Sequence, residues 1–213
     1  MTVTILLADD HTVVREGLRA LLENQKEFHV VGVASGGRQA VQLARELCPS
    51  VVLMDIAMPG LNGIEATQQI RESCSESQVV ILSMYATSEY VYRALQAGAL
   101  GYLLKESAGS EIVQAIHMVN AGKMYISQKI RTALGKNITD QKKSPLERLS
   151  AREREVLQLT VEGKNSLQIA QVLSLSPKSV DTYRSRIMKK LKIHDTPSLV
   201  KFAIQHGLTT LES

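Results

Sequence analysis

Val3-Thr4-Ile5-Leu6-Leu7-Ala8-Asp9-Asp10 is a short apolar run that ends on two adjacent carboxylates. Its length and composition predict a buried strand rather than a helix. Just beyond it, Val13, Val14, Gly17, Leu18, Leu21 and Leu22 recur at helical spacing. This strand-then-helix unit repeats along the chain. Further strands are predicted at His29–Ala34, Val51–Met54, Val79–Leu82 and Gly101–Leu104. Helices are predicted at Arg38–Leu47, Gly63–Glu72, Glu89–Ala97 and Glu111–Ala121. Pro49, Gly98 and Gly122 stand where helices should stop. Five strands alternating with five helices predict an α/β domain with a doubly wound, five-stranded parallel sheet covered on both faces.

The pattern changes after residue 122. Residues 123–148 hold Lys123, Lys129, Arg131, Lys136, Lys142, Lys143 and Pro145 with little apolar period. They read as a linker with one short helix near Gln128–Leu134. Residues 149–213 are helical in pattern. Ser150 with Glu153 forms a capping box, and Gly163 closes that helix. A short helix follows at Leu167–Leu173. Ser176-Pro177 is an N-cap with Pro at the first helical position, opening Lys178–Leu191. Pro197 opens a last helix that Gly207 ends. The expected division is an α/β domain over 1–122, a linker over 123–148 and an all-α four-helix domain over 149–213.

The chain has 213 residues, of which 44% are hydrophobic and 22% charged, as in ordinary globular proteins. Aromatics are 4% and Trp is absent, so the cores must be aliphatic. The longest stretch without Asp, Glu, Lys or Arg is Asn165–Pro177, which is polar, so no membrane span is expected. The N-terminus lacks a basic region and meets two acids at once, unlike a signal peptide. Cys48 and Cys74 form neither CxxC nor zinc spacing, and the expected compartment is the reducing cytoplasm. The net charge of +4 hides an asymmetry: residues 1–122 carry −5 and residues 123–213 carry +9. An acidic module and a basic module imply different partners, with nucleic acid the natural partner of the second.

The polar residues of the first module sit at strand ends. Asp9-Asp10 follow the first strand, Asp55 the third, Ser83 the fourth and Lys105 the fifth. In open α/β sheets, ligands bind beyond the carboxyl ends of the strands, where the strand order reverses. With the 2-1-3-4-5 order of flavodoxin-like sheets, strands one and three are neighbours there. Three carboxylates so placed repel one another and must take up a proton or gather a cation. Mg²⁺ suits them, because it is held by one or two carboxylates together with phosphate oxygens. A carboxylate beside Mg²⁺ can attack a phosphoryl group and become an acyl phosphate. Lys105 would then neutralise a phosphoryl oxygen and Ser83 hydrogen-bond another. Ser35-Gly36-Gly37 lacks the phosphate-loop patterns and reads as a tight turn.

Asp9-Asp10-His11, Met54-Asp55-Ile56-Ala57-Met58-Pro59-Gly60-Leu61-Asn62-Gly63, Leu82-Ser83 and Ala97-Gly98-Ala99-Leu100-Gly101-Tyr102-Leu103-Leu104-Lys105 resemble the receiver domain of two-component response regulators. The resemblance implies that Asp55 is the phospho-acceptor. It implies that Asp10 is a direct Mg²⁺ ligand, Asp9 its water-bridged partner and Ala57 a backbone-carbonyl ligand, with Asp55 completing the metal site. Ser83 and Tyr102 would be the switch pair and Lys105 the phosphate-pairing lysine. Glu106 stands where many receivers have proline.

In the second module, Leu167–Leu173, a turn and Lys178–Leu191 make a helix-turn-helix pattern. At 100° per residue, Val180, Tyr183, Ile187, Met188 and Leu191 form a core stripe. The opposite face carries Lys178, Thr182, Ser185 and Lys189, flanked by Asp181, Arg186 and Lys192. Leu149–Leu157, Ile169-Ala170, Ser176–Val180 and Ile187–Leu191 resemble the LuxR-type DNA-binding domain, and the two modules together resemble the NarL/FixJ subfamily. The resemblance implies that Asp181, Thr182 and Ser185 face the groove, and that Lys178, Arg184, Lys189 and Lys190 meet phosphates. Ser166-Leu167-Gln168 depart from a common Asn-Lys-Glu, and Asp181 replaces a common Lys or Val.

The expected function is control of transcription by phosphorylation. A sensor histidine kinase would phosphorylate Asp55, and the phosphorylated homodimer would bind double-stranded DNA. RNA polymerase is a further partner that the resemblance allows, and no membrane partner is expected. The receiver would catalyse only its own phosphoryl transfer and dephosphorylation, so the chain is not read as an enzyme. A phosphatase or mutase with an aspartyl nucleophile commonly shows Asp-x-Asp after its first strand. Here His11 and Thr12 follow the Asp pair, and such an enzyme leaves the basic helices unexplained.

Overall fold

The computed structural model describes residues 2–134 and 144–209. The chain divides into two compact units, 1–141 and 142–213. Lys136, Lys142 and Lys143 of the expected linker lie outside the described residues.

In the first unit the strands are β1 (Val3–Ala8), β2 (Phe28–Ala34), β3 (Val51–Asp55), β4 (Gln78–Ser83), β5 (Gly101–Leu104) and β6 (Tyr125–Ile126). The helices are α1 (Thr12–Glu23), α2 (Gly37–Leu47), α3 (Gly63–Ser73), α4 (Ser88–Gln96), α5 (Gly109–Asn120) and α6 (Gln128–Leu134). The strands form one parallel sheet in the order β2-β1-β3-β4-β5-β6. Among the described residues the sheet therefore has six strands rather than the expected five. The added β6 pairs only Tyr125 and Ile126, with Gly101 and Tyr102 of β5. Two residues are too few to show an alternating period. β6 and α6 both lie in the stretch read as linker, α6 on the segment where a short helix is expected.

The alternation of side chains along each strand splits the core in two. Leu6, Val52, Met54, Val79, Ile81 and Tyr102 face one way and pack with Ala40, Ala44, Ile64, Ile70, Val91 and Ala94 of α2, α3 and α4. Ile5, Leu7, Leu53, Val80, Leu82 and Leu103 face the other way and pack with Leu22 of α1 and Ile112, Ile116 and Val119 of α5. Both faces being buried explains why these strands read as continuous apolar runs.

The connection from β3 to α3 is fixed by its backbone. Asn62 caps α3, its side chain accepting from the N–H groups of Ile64 and Glu65 at 3.0 Å each. Gly63 donates its N–H to the Ile56 carbonyl at 2.9 Å. A Cβ on Gly63 would stand 1.8 Å from the Asp55 carbonyl oxygen, so only glycine permits this close approach.

The second unit is all-helical, with a 3-10 turn at Pro145–Arg148 and helices α7 (Ala151–Val161), α8 (Ser166–Leu173), α9 (Pro177–Leu191) and α10 (Thr196–Gln205). Ser150, Asn165, Ser176 and Asp195 cap the four helices with their side chains. The Ser150–Glu153 capping box forms as the sequence predicts. Leu149, Val156, Leu157, Leu159, Ile169, Leu173, Val180, Ile187, Leu199 and Ala203 make the core. Four members of the expected α9 stripe belong to this core, Val180 and Ile187 buried and Tyr183 and Leu191 packed at its edge, whereas Met188 is half-buried and outside it.

Gly63→Ala should destabilise the first unit by about 2 kcal/mol or more, because the new methyl can be seated only by moving the β3–α3 backbone. Urea unfolding should show a lower midpoint at unchanged slope. An unchanged midpoint would contradict the close approach.

Candidate functional site

The sheet order places the ends of β1, β3, β4 and β5 side by side. Asp9 follows β1, Asp55 ends β3, Ser83 ends β4 and Lys105 follows β5. Asp9 and Asp55 are each 2% exposed, which is unusual for carboxylates. The Lys105 ammonium bridges them, with Nζ 2.7 Å from Asp9 Oδ2 and 2.9 Å from Asp55 Oδ2.

Burial pushes the Asp55 pKa above its ordinary value, and the Asp9 charge adds to that. The Lys105 charge and a hydrogen bond from the Ala57 N–H oppose the shift. For Lys105, burial acts to lower the pKa, but the Asp55 and Asp9 carboxylates outweigh it and hold the value above that of an ordinary lysine. Ala57 thus touches the site through its N–H, whereas its expected part is a carbonyl ligand.

Asp10 and His11 complete the acidic cluster. Ligand atoms of Asp9, Asp10, His11 and Asp55 lie within 4.8 Å of one another. The His11 N–H donates to Asp9 Oδ1 at 2.8 Å, and its Nδ1 lies 2.7 Å from Asp10 Oδ1. The sequence alone assigns His11 no part in the site. Its adjacency to the Asp pair was the available signal. Asp9 Oδ2, Asp10 Oδ1 and Asp55 Oδ2 are buried without an aligned hydrogen bond among the described residues, although Lys105 and His11 stand at ion-pair distance. Such oxygens suit a hard cation such as Mg²⁺.

Ser83 and Tyr102 meet beside this cluster. Ser83 Oγ accepts from the Tyr85 N–H at 3.0 Å, and the Tyr102 hydroxyl donates to the Tyr85 carbonyl at 2.8 Å. Tyr102 is fully buried, which pushes its hydroxyl pKa up, against a hydrogen bond with Ser83. The Tyr85 ring stacks on Tyr90 of α4 at 4.9 Å and 9°. Tyr85 therefore joins both switch candidates to α4, a role no local sequence pattern signals.

In the second unit, Lys178, Asp181, Thr182, Ser185, Arg186 and Lys189 are exposed on α9. Two expected phosphate-contacting residues are engaged elsewhere. Lys190 Nζ bonds Glu153 Oε2 of α7 at 2.6 Å, and Arg184 Nη1 donates to Ser166 Oγ of α8 at 3.2 Å. The Ser166 hydroxyl donates to Asp181 Oδ1 at 2.6 Å. Thr182 Oγ1 bonds the Lys178 carbonyl of its own helix at 2.9 Å.

Residues 5–117 match the response regulator receiver domain, and residues 147–203 match the bacterial regulatory proteins of the luxR family. The chain belongs to the NarL/FixJ family of response regulators. Response regulator UvrY of Escherichia coli K12 is 39% identical over 99% of this chain and 98% of its own length. Response regulator GacA of Pseudomonas aeruginosa is 39% identical over 99% of this chain and 100% of its own. A crystal structure of a LuxR-family two-component response regulator from Aurantimonas is 39% identical, with a TM-score of 0.62 over 64% of this chain and 98% of that one. This response regulator thus joins a receiver domain to a LuxR-type DNA-binding domain, and the strand-end cluster lies in the receiver. Among its described residues, no helix is long and apolar enough to cross a membrane.

The Glu153–Lys190 pair ties stability to pH. Burial acts to raise the Glu153 pKa, but the hydrogen bonds from Lys190 and Ser150 outweigh it, so the folded value is lowered. A carboxylate with a depressed folded pKa stabilises above its unfolded pKa, about 4.3, and that contribution is lost as pH falls through the folded value. Glu153→Gln should therefore lower the urea midpoint at pH 7, and the gap from wild type should close as the pH falls below about 4. A gap independent of pH would contradict the ion pair.

Proposed function

We propose that Asp55 accepts a phosphoryl group from a sensor histidine kinase, with Mg²⁺ held by Asp9, Asp10, Asp55 and the Ala57 carbonyl. The observation that carries this is the Lys105 ammonium shared between the buried carboxylates of Asp9 and Asp55. An Asp55 carboxylate oxygen attacks phosphorus while the bond to the kinase histidine nitrogen breaks. That nitrogen leaves with the electron pair, and an acyl phosphate forms on Asp55. Bound Mg²⁺ supplies charge neutralisation for the carboxylates and the phosphoryl oxygens.

The chain's own residues do the rest. Lys105 already lies 2.9 Å from the carboxylate that is attacked, so its ammonium reaches a phosphoryl oxygen bonded there. The Ser83 hydroxyl offers its proton to another. Engaging Ser83 moves the Tyr85 backbone, to which both Ser83 and Tyr102 are bonded, and with it the Tyr85–Tyr90 stack. That shift alters the α4 surface and favours a homodimer. The receiver catalyses only its own phosphoryl transfer and dephosphorylation and turns over no metabolite.

The homodimer binds double-stranded DNA in the cytoplasm, with α9 in the major groove and RNA polymerase as a further partner. Asp181, Thr182 and Ser185 face base edges. Lys178 and Lys189 carry more of the phosphate contact than Arg184 and Lys190, which already serve Ser166 and Glu153. The names of UvrY and GacA, both response regulators, support this reading.

Acetyl phosphate with Mg²⁺ should add one phosphoryl mass to the protein. Asp55→Asn or chelation of Mg²⁺ should abolish the adduct in intact-mass spectrometry, and an adduct persisting in Asp55→Asn would overturn the assignment. Residues 144–213 should bind DNA with affinity that falls about tenfold or more between 50 and 200 mM salt, because lysine–phosphate contacts release counterions. An affinity indifferent to salt would overturn the phosphate contacts.

A further inference from the structure

We infer that Ser166, a residue of α8 outside the recognition helix, sets DNA sequence preference by holding Asp181 toward a cytosine in the major groove. The inference rests on the proposed docking of α9 and adds a positioning residue to it. Ser166 lies at the start of α8, just after the capping residue Asn165. Its hydroxyl donates to Asp181 Oδ1 at 2.6 Å, a length typical of a hydrogen bond to an ionised carboxylate. Its oxygen accepts from Arg184 Nη1 at 3.2 Å. A serine hydroxyl has one proton to give and lone pairs to receive, so both bonds form together. The order is fixed from Arg184 through Ser166 to Asp181.

This arrangement restricts what Asp181 can do. Asp181 and Arg184 are nearly one helical turn apart on α9, and Ser166 reaches them from the neighbouring helix. Oδ1 is taken by Ser166. Among the described residues Oδ2 has no hydrogen-bond donor, and the side chain is exposed at the flank of the basic face of α9. An exposed carboxylate oxygen only accepts hydrogen bonds. Cytosine N4 offers a donor in the major groove with no acceptor beside it, whereas guanine presents two acceptors and adenine sets its N7 acceptor next to its N6 donor, and those acceptors would repel a carboxylate. Arg184 supplies positive charge through the shared hydroxyl and offsets the repulsion between Asp181 and nearby phosphates.

A free aspartate would swing among its rotamers and read weakly. An aspartate tied at one oxygen presents the other in a defined direction, which is what discrimination by a single hydrogen bond requires. Positions 166 and 181, two of those at which this sequence departs from the common pattern, are therefore one device rather than two separate changes.

The test is selection from randomised DNA half-sites with the full chain, treated with acetyl phosphate and Mg²⁺ at one fixed salt concentration. Wild type should favour cytosine at one position per half-site by about tenfold. Asp181→Ala should lose that preference and bind random DNA more tightly. Ser166→Ala should lose most of the preference while its affinity for random DNA stays within about twofold, because the carboxylate charge remains. Ser166→Thr, which keeps the hydroxyl, should restore the preference. Asp181→Asn should turn its amide N–H outward and shift the preference from cytosine to a base that presents an acceptor. Wild-type preference at every position in Ser166→Ala, with binding intact, would overturn the inference alone. Failure of Ser166→Thr to rescue would reduce Ser166 to a packing residue and overturn it as well. Wild type without affinity for DNA would instead overturn the docking of α9 on which the inference rests.

Discussion

One ammonium group lies between two buried carboxylates, and the first unit is organised around that fact. Asp9 and Asp55 are each 2% exposed and share Lys105 at 2.7 and 2.9 Å. Asp10 adds a third acid, so the cluster holds more negative than positive charge. Burial of charge is tolerated only with compensation, and one lysine compensates incompletely. The upward displacement of the Asp55 pKa expresses the deficit. A site left in this condition gains from any ligand that brings positive charge, and then from a phosphoryl group whose oxygens the cation and Lys105 can share. The parallel sheet serves this end. Its crossovers bring the ends of β1, β3, β4 and β5 together, although Asp9 and Lys105 are far apart in sequence.

Most of that architecture was legible because its signals are local. Apolar runs such as Val51–Met54, helical spacing, the Ser150 and Ser176 caps and the glycine stops are each read within a few residues. The four polar strand ends were legible for the same reason, once a strand order was supplied. What escaped was either too short or too distant. β6 has two residues, fewer than a period needs. The Glu153–Lys190 bond joins α7 to α9 across 37 positions, and Ser166–Asp181 joins α8 to α9 across 15. The family resemblance assigned Lys190 and Arg184 to DNA phosphates. It could not say that a neighbouring helix would meet them. Tyr85 was missed because it acts through its backbone, to which any residue type can contribute.

The two units treat carboxylates in opposite ways, and this gives the charge asymmetry of the sequence its physical meaning. The receiver gathers three acids at one point and leaves them short of donors. In the second unit, the six acids within residues 144–209 are Glu147, Glu153, Glu155, Glu162, Asp181 and Asp195. Each accepts a hydrogen bond inside that unit: from Ser144, Lys190, Arg152, Gln158, Ser166 and Ser198 respectively. Most of those bonds cap helices or tie one helix to another. Acids spent in this way hold the helices together, and two of them, Glu153 and Glu155, are buried. Lys178, Arg186 and Lys189 meanwhile stand exposed along α9. The surface field is therefore more positive than a count of charges implies, because potential at a surface depends on which charges reach it. Asp181 is the one of these acids on α9, and it remains exposed after Ser166 has bound it. A negative group beside these cations lowers the positive potential locally, and the chain from Arg184 through Ser166 is what holds it in place.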